Sequence, residues 1–129
     1  MNAYLLDTCT FIWLCADSKR LSKAARNAID APSASLLLSD ISVLEITFKW
    51  SAGKLDLPDP PRLWVESQVE AWALTMQPLG RAEIYRAGEL PEHHRDPFDR
   101  LLVAAALNLN ATILTPDTAI HRYPVSYRW

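Results

Sequence analysis

Residues 97–117, PFDRLLVAAALNLNATILTPD, decide the fold class of this chain. Their first part, Pro97–Asn108, is apolar on almost every side, which predicts a helix buried against a sheet. Their second part, Ala111–Thr115, is a short apolar and β-branched run that predicts a buried strand. Asp117 lies two residues past the end of that strand. A buried helix that leads directly into a buried strand is typical of an α/β fold.

The rest of the chain alternates between strands and helices in the same way. The predicted strands are Ala3–Leu6, Ser35–Ser39, Leu74–Gln77 and Val125–Tyr127, and the predicted helices are Thr8–Ala16, Ser22–Asp30, Ile41–Ala52, Pro61–Ala73 and Arg81–Ala87. Gly53 and Gly88 are expected to end two of these helices. The alternation predicts a mainly parallel sheet, and a length of 129 residues predicts a single domain, 1–129.

The composition excludes several classes of protein. Half of the residues are hydrophobic, which is enough to build a core and excludes a disordered chain. A net charge of −2 and a pI near 5.9 exclude a generic polyanion binder, since such domains usually have a pI above ~9. Cys9 and Cys15 are expected to be free thiols, as in a reducing compartment. No apolar run approaches the ~20 residues of a membrane span, so we expect a cytoplasmic protein.

Four carboxylates fall where parallel α/β folds bind ligands, beyond the carboxyl ends of the strands. Asp7 follows the first strand and Asp117 follows the strand Ala111–Thr115, while Glu45 and Asp99 are expected in the first turns of two helices. Carboxylates brought this close repel one another and raise one another's pKa values. Hard divalent cations such as Mg²⁺ or Mn²⁺ bind oxygen ligands and would relieve that repulsion.

Three of these acids also have purely structural interpretations. Asp7 fits a turn former or a helix N-cap. Glu45 forms a capping box with Ser42, in which Ser42 is the N-cap and Glu45 the third helical residue. Asp117 fits a cap of the short turn Thr118–His121. The placement of the acids at one sheet edge, more than any single residue, favours a metal site.

Asp96 and Asp99 compete for the same role in that site. Asp96-Pro97 is typical of an N-cap followed by proline at the first helical position. Asp99 has no comparable capping role, so the pattern favours Asp99 as the metal ligand and Asp96 as the cap.

Four blocks in this order resemble the PIN-domain ribonucleases, and in particular the VapC-type toxins of bacterial toxin–antitoxin pairs. They are YLLDTCTFIW at 4–13, SDISVLEITFKWSAGKL at 39–55, HHRDPFDRLLVAAAL at 93–107 and ATILTPDTAI at 111–120. In that family the third acid precedes an aliphatic-Ala-Ala run, which here selects Asp99 over Asp96. The resemblance covers nearly the whole chain.

The resemblance implies an α/β/α sandwich with a mainly parallel sheet of about five strands. It also implies a Mg²⁺- or Mn²⁺-dependent endoribonuclease with an acidic quartet, whose products carry a 5′-phosphate and a 3′-hydroxyl. Asp7 and Asp99 would be the central ligands, Glu45 would orient or deprotonate water, and Asp117 would ligate directly or through water. The implied partners are an RNA substrate, a cognate antitoxin and a second copy of the chain, with no membrane.

Supporting candidates surround the quartet. Thr8 and Thr115 match small hydroxyl residues beside the first and last acids, where they would hold water or phosphate or simply cap turns. His93, His94 and Arg100 lie in segments bordering the predicted site, and the two histidines are candidates for contacting phosphate or the leaving group. The alternative for this histidine pair is a plain polar loop.

Three other functions remain open at this stage. A haloacid-dehalogenase-type phosphatase would need a second Asp two residues after Asp7, where this chain has Cys9. A receiver-like phospho-switch would need a Lys after a late strand, and no Lys follows Lys54. A catalytically inactive PIN domain that only binds a partner would keep the same fold.

Overall fold

The computed structural model describes residues 2–129, whose strands form a single five-stranded sheet. The strands are β1 Asn2–Leu6, β2 Ala34–Ser39, β3 Thr75–Gln77, β4 Thr112–Leu114 and β5 Tyr127–Arg128. Their order across the sheet is β3-β2-β1-β4-β5, and every neighbouring pair is parallel. The predicted α/β fold with a parallel sheet is therefore confirmed.

Six α-helices connect and cover the strands. They are α1 Thr8–Ala16, α2 Lys23–Asp30, α3 Asp40–Ser51, α4 Pro61–Ala71, α5 Arg81–Glu89 and α6 Pro97–Leu109, with 3₁₀ turns at Ser18–Arg20 and Ile120–Arg122. Within residues 2–129, no helix is both long and apolar enough to cross a bilayer. Cys9 and Cys15 are free, as predicted, and burial raises the pKa of each thiol to about 12.

Glycine ends one of the two helices for which it was predicted to do so. Gly53 follows α3 with φ +72°, the left-handed conformation that glycine adopts without strain. Gly88 instead lies inside α5, which continues to Glu89, so the second prediction is wrong. The physical terminator is Pro91, because the residue before a proline is driven out of the helical region, and Leu90 is extended at φ −72° and ψ 151°.

The sheet is buried on both faces, which explains its nearly continuous apolar strands. In β1, Tyr4 and Leu6 pack on one face with α1 and α4, while Leu5 packs on the opposite face. That opposite face is covered by α6, where Leu102 and Val103 are fully inaccessible to solvent. The prediction that this helix is buried against the sheet is confirmed.

Truncation of this helix core should destabilise the fold. Leu102→Ala removes a fully buried side chain and leaves a cavity, so we expect a loss of ~2–5 kcal/mol in the free energy of unfolding. Leu63→Ala, at a side chain that is 60% exposed, is the matched control and should cost less than ~0.5 kcal/mol. Urea denaturation measures both, and equal losses would contradict the assignment of the core.

Candidate metal centre

The four predicted acids line one cleft at the carboxyl edge of the sheet. Asp7 follows β1, Glu45 projects from α3, Asp99 from the first turn of α6, and Asp117 follows β4. The cleft has a volume of about 520 Å³. It is also lined by Thr8, Asp96, Lys49 and Lys54, so five carboxylates face two ammonium groups. This excess of negative charge favours binding of a cation.

Asp7 is both a helix cap and a wall of the cleft. Its Oδ1 accepts the backbone N–H of Thr8 at 2.7 Å, which caps α1 as the structural interpretation predicted. Its Oδ2 accepts the Thr115 hydroxyl at 2.6 Å. The side chain is almost completely buried, and that burial raises the pKa of Asp7 despite both hydrogen bonds.

Glu45 does not form the capping box that the sequence suggested. Helix α3 begins at Asp40, and its N-cap is Ser39, whose hydroxyl accepts the Ile41 N–H at 3.0 Å. Ser42 lies inside the helix and accepts the Thr8 hydroxyl at 2.9 Å. Ser39 displaces it because β2 runs directly into α3, so the strand end supplies the cap. Glu45 is therefore buried in the second turn with no capping role.

One oxygen of Glu45 has no partner among the described residues. Its Oε2 accepts Lys49 Nζ at 2.6 Å, an interaction that raises the pKa of Lys49. Its Oε1 is buried without any hydrogen bond. A buried carboxylate oxygen left unpaired costs free energy. A cation or an ordered water in the cleft would satisfy it, and so this donor set fits a divalent metal ion.

Asp99 and Asp117 meet at a histidine. His94 Nε2 lies 2.9 Å from Asp99 Oδ2 and 2.8 Å from Asp117 Oδ2. Asp117 Oδ1 also accepts the Ala119 N–H at 2.9 Å, so this acid caps its turn as well as lining the cleft. Burial, followed by repulsion from Asp7 and the other nearby acids, raises the pKa of Asp99 to about 8.

Asp96 has the capping geometry that the sequence predicted. Its Oδ1 accepts the Phe98 N–H at 2.9 Å, and Pro97 is the first residue of α6. Its charge still reaches the cleft, because it is among the groups that raise the pKa of Asp99.

The two threonines connect the acids internally. Thr115 is fully buried, donates to Asp7 and accepts the Asp117 N–H at 3.0 Å, so it joins the first acid to the last. The Thr8 hydroxyl is occupied by Ser42. Both hydroxyls therefore order the walls of the cleft.

Arg100 has a structural position that the sequence did not indicate. Its guanidinium donates to the carbonyl oxygens of Ala87, Leu90, Pro91 and His94 at 2.7, 2.9, 3.1 and 3.3 Å. These contacts give the Arg100 guanidinium a structural role, and its role as a supporting site residue stays a prediction. Arg100 joins the end of α5 to the loop that carries the histidines.

His93 and Tyr123 complete this loop. The His93 ring packs edge-to-face on Tyr123 with centroids 5.0 Å apart. The Tyr123 hydroxyl accepts the backbone N–H groups of His93 and His94 at 3.2 and 3.0 Å. No sequence pattern pointed to Tyr123, because its partners are backbone groups about thirty positions earlier.

Comparison with known proteins identifies the family. The PIN-domain family model matches residues 4–125, and the chain belongs to the PIN-domain family. The chain is 30% identical to Ribonuclease VapC22 of Mycobacterium tuberculosis over 128 residues, which span 96% of this chain and 95% of the relative.

Solved structures share the fold at low sequence identity. VapBC2 from Rickettsia felis, bound to a DNA fragment from its promoter, matches with a TM-score of 0.70 and 17% identity, covering 97% of this chain and 96% of that one. DNA-bound VapBC from Salmonella typhimurium matches with a TM-score of 0.69 and 18% identity, covering 98% and 97%. The receiver-like alternative is wrong, since that fold has the strand order 2-1-3-4-5 and this sheet does not.

The raised pKa of Asp99 makes the stability of the metal-free protein depend on pH. Because its pKa of about 8 exceeds the ordinary aspartate value of 3.8, the folded state binds an extra proton between these values. The free energy of unfolding should therefore fall as the pH rises through this window. Asp99→Asn should remove part of that fall, which urea denaturation in EDTA at pH 5 and pH 8.5 would measure. A difference between variant and wild type that stays constant with pH would contradict the shift.

Proposed function

We propose that this chain is a Mg²⁺- or Mn²⁺-dependent endoribonuclease and the toxin of a toxin–antitoxin pair. The observation that carries the proposal is the unpartnered, buried Glu45 Oε1 within a cleft lined by five carboxylates. The PIN-domain match and the relative named Ribonuclease VapC22 support RNA as the substrate. Solved VapBC structures with this fold support a cognate antitoxin.

Each residue of the cleft has a separate role in the proposed chemistry. Asp7 and Asp99 would hold the cation, and Asp117 would hold it directly or through water. A bound divalent ion lowers the pKa of water and offsets charge on the transition state. Glu45 would orient the attacking water and accept its proton at Oε1, while Lys49 holds Oε2. The Thr115 hydroxyl, which donates to Asp7 and accepts the Asp117 N–H, would hold these two residues next to each other.

The proposed reaction is hydrolysis of a phosphodiester bond. The oxygen of water forms a bond to phosphorus, and the bond between phosphorus and the 3′-oxygen breaks. The leaving oxygen takes a proton from solvent, which gives a 5′-phosphate and a 3′-hydroxyl.

Removal of a ligand carboxylate should abolish cleavage. Asp99→Asn keeps the shape of the side chain but removes its charge, and we expect RNA cleavage to fall more than ~100-fold. Mutation of groups that only hydrogen-bond to metal ligands already lowers metal affinity or activity by ~10–100-fold, so loss of a ligand should cost more. Asp7→Asn should behave alike. Asp59→Asn, at an exposed acid in a loop, is the control and should cleave as wild type does. Cleavage is measured on labelled RNA with saturating Mn²⁺ or Mg²⁺.

The same assay separates the alternatives. Cleavage by Asp99→Asn at the wild-type rate would contradict the site. Hydrolysis of a small phosphomonoester without RNA cleavage would favour a general phosphohydrolase. RNA that is bound but never cut by wild type would favour an inactive binding module.

Lysines of the cleft are the proposed RNA contacts. Lys54 is exposed and lines the cleft, whereas Lys49 is paired with Glu45. A second group of basic residues lies on and before α2, namely Lys19, Arg20, Lys23 and Arg26. Two of them already contact the protein, since Arg20 lies over the Trp13 ring at 4.6 Å and Arg26 donates to the Ser18 carbonyl.

Loss of one phosphate contact should weaken the salt dependence of RNA binding. In an Asp99→Asn background, where RNA stays intact, Lys54→Ala should lower the slope of log K against log salt by about 1. Lys23→Ala, at an exposed residue of α2, is the control and should leave the slope unchanged. Fluorescence anisotropy at several salt concentrations measures the slope. A slope unaffected by Lys54→Ala would exclude Lys54 as a contact.

The remaining partner proposals follow from the family. We propose that a cognate antitoxin inhibits the chain and that two copies form a homodimer, as VapC-type proteins do. We also propose a cytoplasmic location, which the two free thiols favour.

A further inference from the structure

His94 links two parts of the cleft that are distant in sequence. Asp99 belongs to the first turn of α6, and Asp117 lies in the loop after β4. The single Nε2 atom of His94 lies within 3 Å of a carboxylate oxygen from each, at 2.9 and 2.8 Å. Nε2 is therefore hydrogen-bonded to Asp117 Oδ2 and in close contact with Asp99 Oδ2.

The other ring nitrogen decides what that group is. The backbone N–H of Asp96 donates to His94 Nδ1 at 3.0 Å, so Nδ1 acts as an acceptor and carries no hydrogen. In a neutral imidazole the hydrogen is then on Nε2, and Nε2 donates it to Asp117 Oδ2. A nitrogen that carries a hydrogen has no lone pair for a metal. The geometry therefore makes His94 a donor to ligands rather than a ligand itself.

The loop around His94 is held by two further side chains. The His94 N–H donates to the buried Tyr123 hydroxyl at 3.0 Å, and the His94 carbonyl accepts Arg100 at 3.3 Å. Arg100 also binds three carbonyl oxygens between α5 and the loop. These contacts fix the backbone on both sides of the imidazole, so the ring meets the carboxylates from a defined direction.

We propose that His94 is a positioning residue that holds Asp117 beside Asp99, ready for the catalytic cation, and that Tyr123 and Arg100 hold His94. This inference rests on the proposed function. Hydrogen bonds from groups behind a metal's ligands fix the orientation of those ligands and strengthen binding.

Mn²⁺ binding measured by calorimetry tests the proposal directly. We expect His94→Ala to weaken Mn²⁺ binding by ~10–100-fold. His94→Gln, whose side-chain N–H reaches a similar position, should recover part of that loss. Glu92→Gln, at an exposed residue of the same loop, is the control and should bind Mn²⁺ as wild type does. Equal Mn²⁺ affinities of wild type and His94→Ala would overturn the proposal.

Tyr123→Phe keeps the test valid if the His94 variants fail to fold. It removes only the hydroxyl that accepts the His93 and His94 N–H groups, so the ring still fills its buried place. We expect weaker Mn²⁺ binding in the same direction as His94→Ala, with thermal unfolding confirming a folded variant. Unchanged binding by folded Tyr123→Phe would overturn the role given to Tyr123.

Pulsed electron paramagnetic resonance of bound Mn²⁺ separates a positioning residue from a ligand. We expect no directly bonded imidazole nitrogen in wild type. A strong nitrogen coupling that disappears in His94→Ala would overturn the proposal and make His94 a ligand. Wild type that binds Mn²⁺ tightly but does not cut RNA would contradict the proposed function while leaving the position of His94 supported. Failure of wild type to bind Mn²⁺ would overturn both.

Discussion

Asp7, Glu45, Asp99 and Asp117 bring four carboxyl groups into one cleft, and the almost complete burial of Asp7 and Glu45 leaves little water to screen the repulsion between them. The rest of the site depends on how that repulsion is handled. Lys49 pairs with one oxygen of Glu45, the Thr115 hydroxyl donates to one oxygen of Asp7, and His94 Nε2 is hydrogen-bonded to one oxygen of Asp117. The compensation is incomplete, since Glu45 Oε1 keeps no partner and the pKa of Asp99 stays raised. Incomplete compensation is what a site for a divalent cation requires.

The sheet order determines which acids meet. Because β1 lies between β2 and β4, Asp7 at its end is placed beside the loop that carries Asp117. The backbone N–H of Asp7 donates to the Leu114 carbonyl of β4, and Thr115 continues the link through its side chain. Residues 110 positions apart thus become neighbours through the pairing of two strands.

The loop that carries His94 is held by hydrogen bonds to its backbone groups. Arg100 and Tyr123 contact the loop before α6 through the backbone carbonyl and N–H groups of that loop. Such backbone groups are present whatever the side chains of the loop are. This loop ends in Asp96, the cap of α6, so one short segment starts the helix and presents His94 to its first turn. Helix capping and site construction are therefore parts of one local structure.

Local pattern alone determined the parallel α/β fold, the burial of α6 and the capping role of Asp96, because periodicity, strand-helix alternation and proline capping act within a few residues. Local pattern failed at two predicted caps. Ser42 is not the N-cap of α3, because Ser39 at the end of β2 takes that role. Gly88 does not end α5, because the helix continues to Glu89 and is stopped by Pro91. The positions of Arg100, Tyr123 and His94 were decided only by the tertiary structure. Their partners are backbone atoms and carboxylates from other elements, and the distances to those atoms exist only once the sheet has brought its carboxyl ends together.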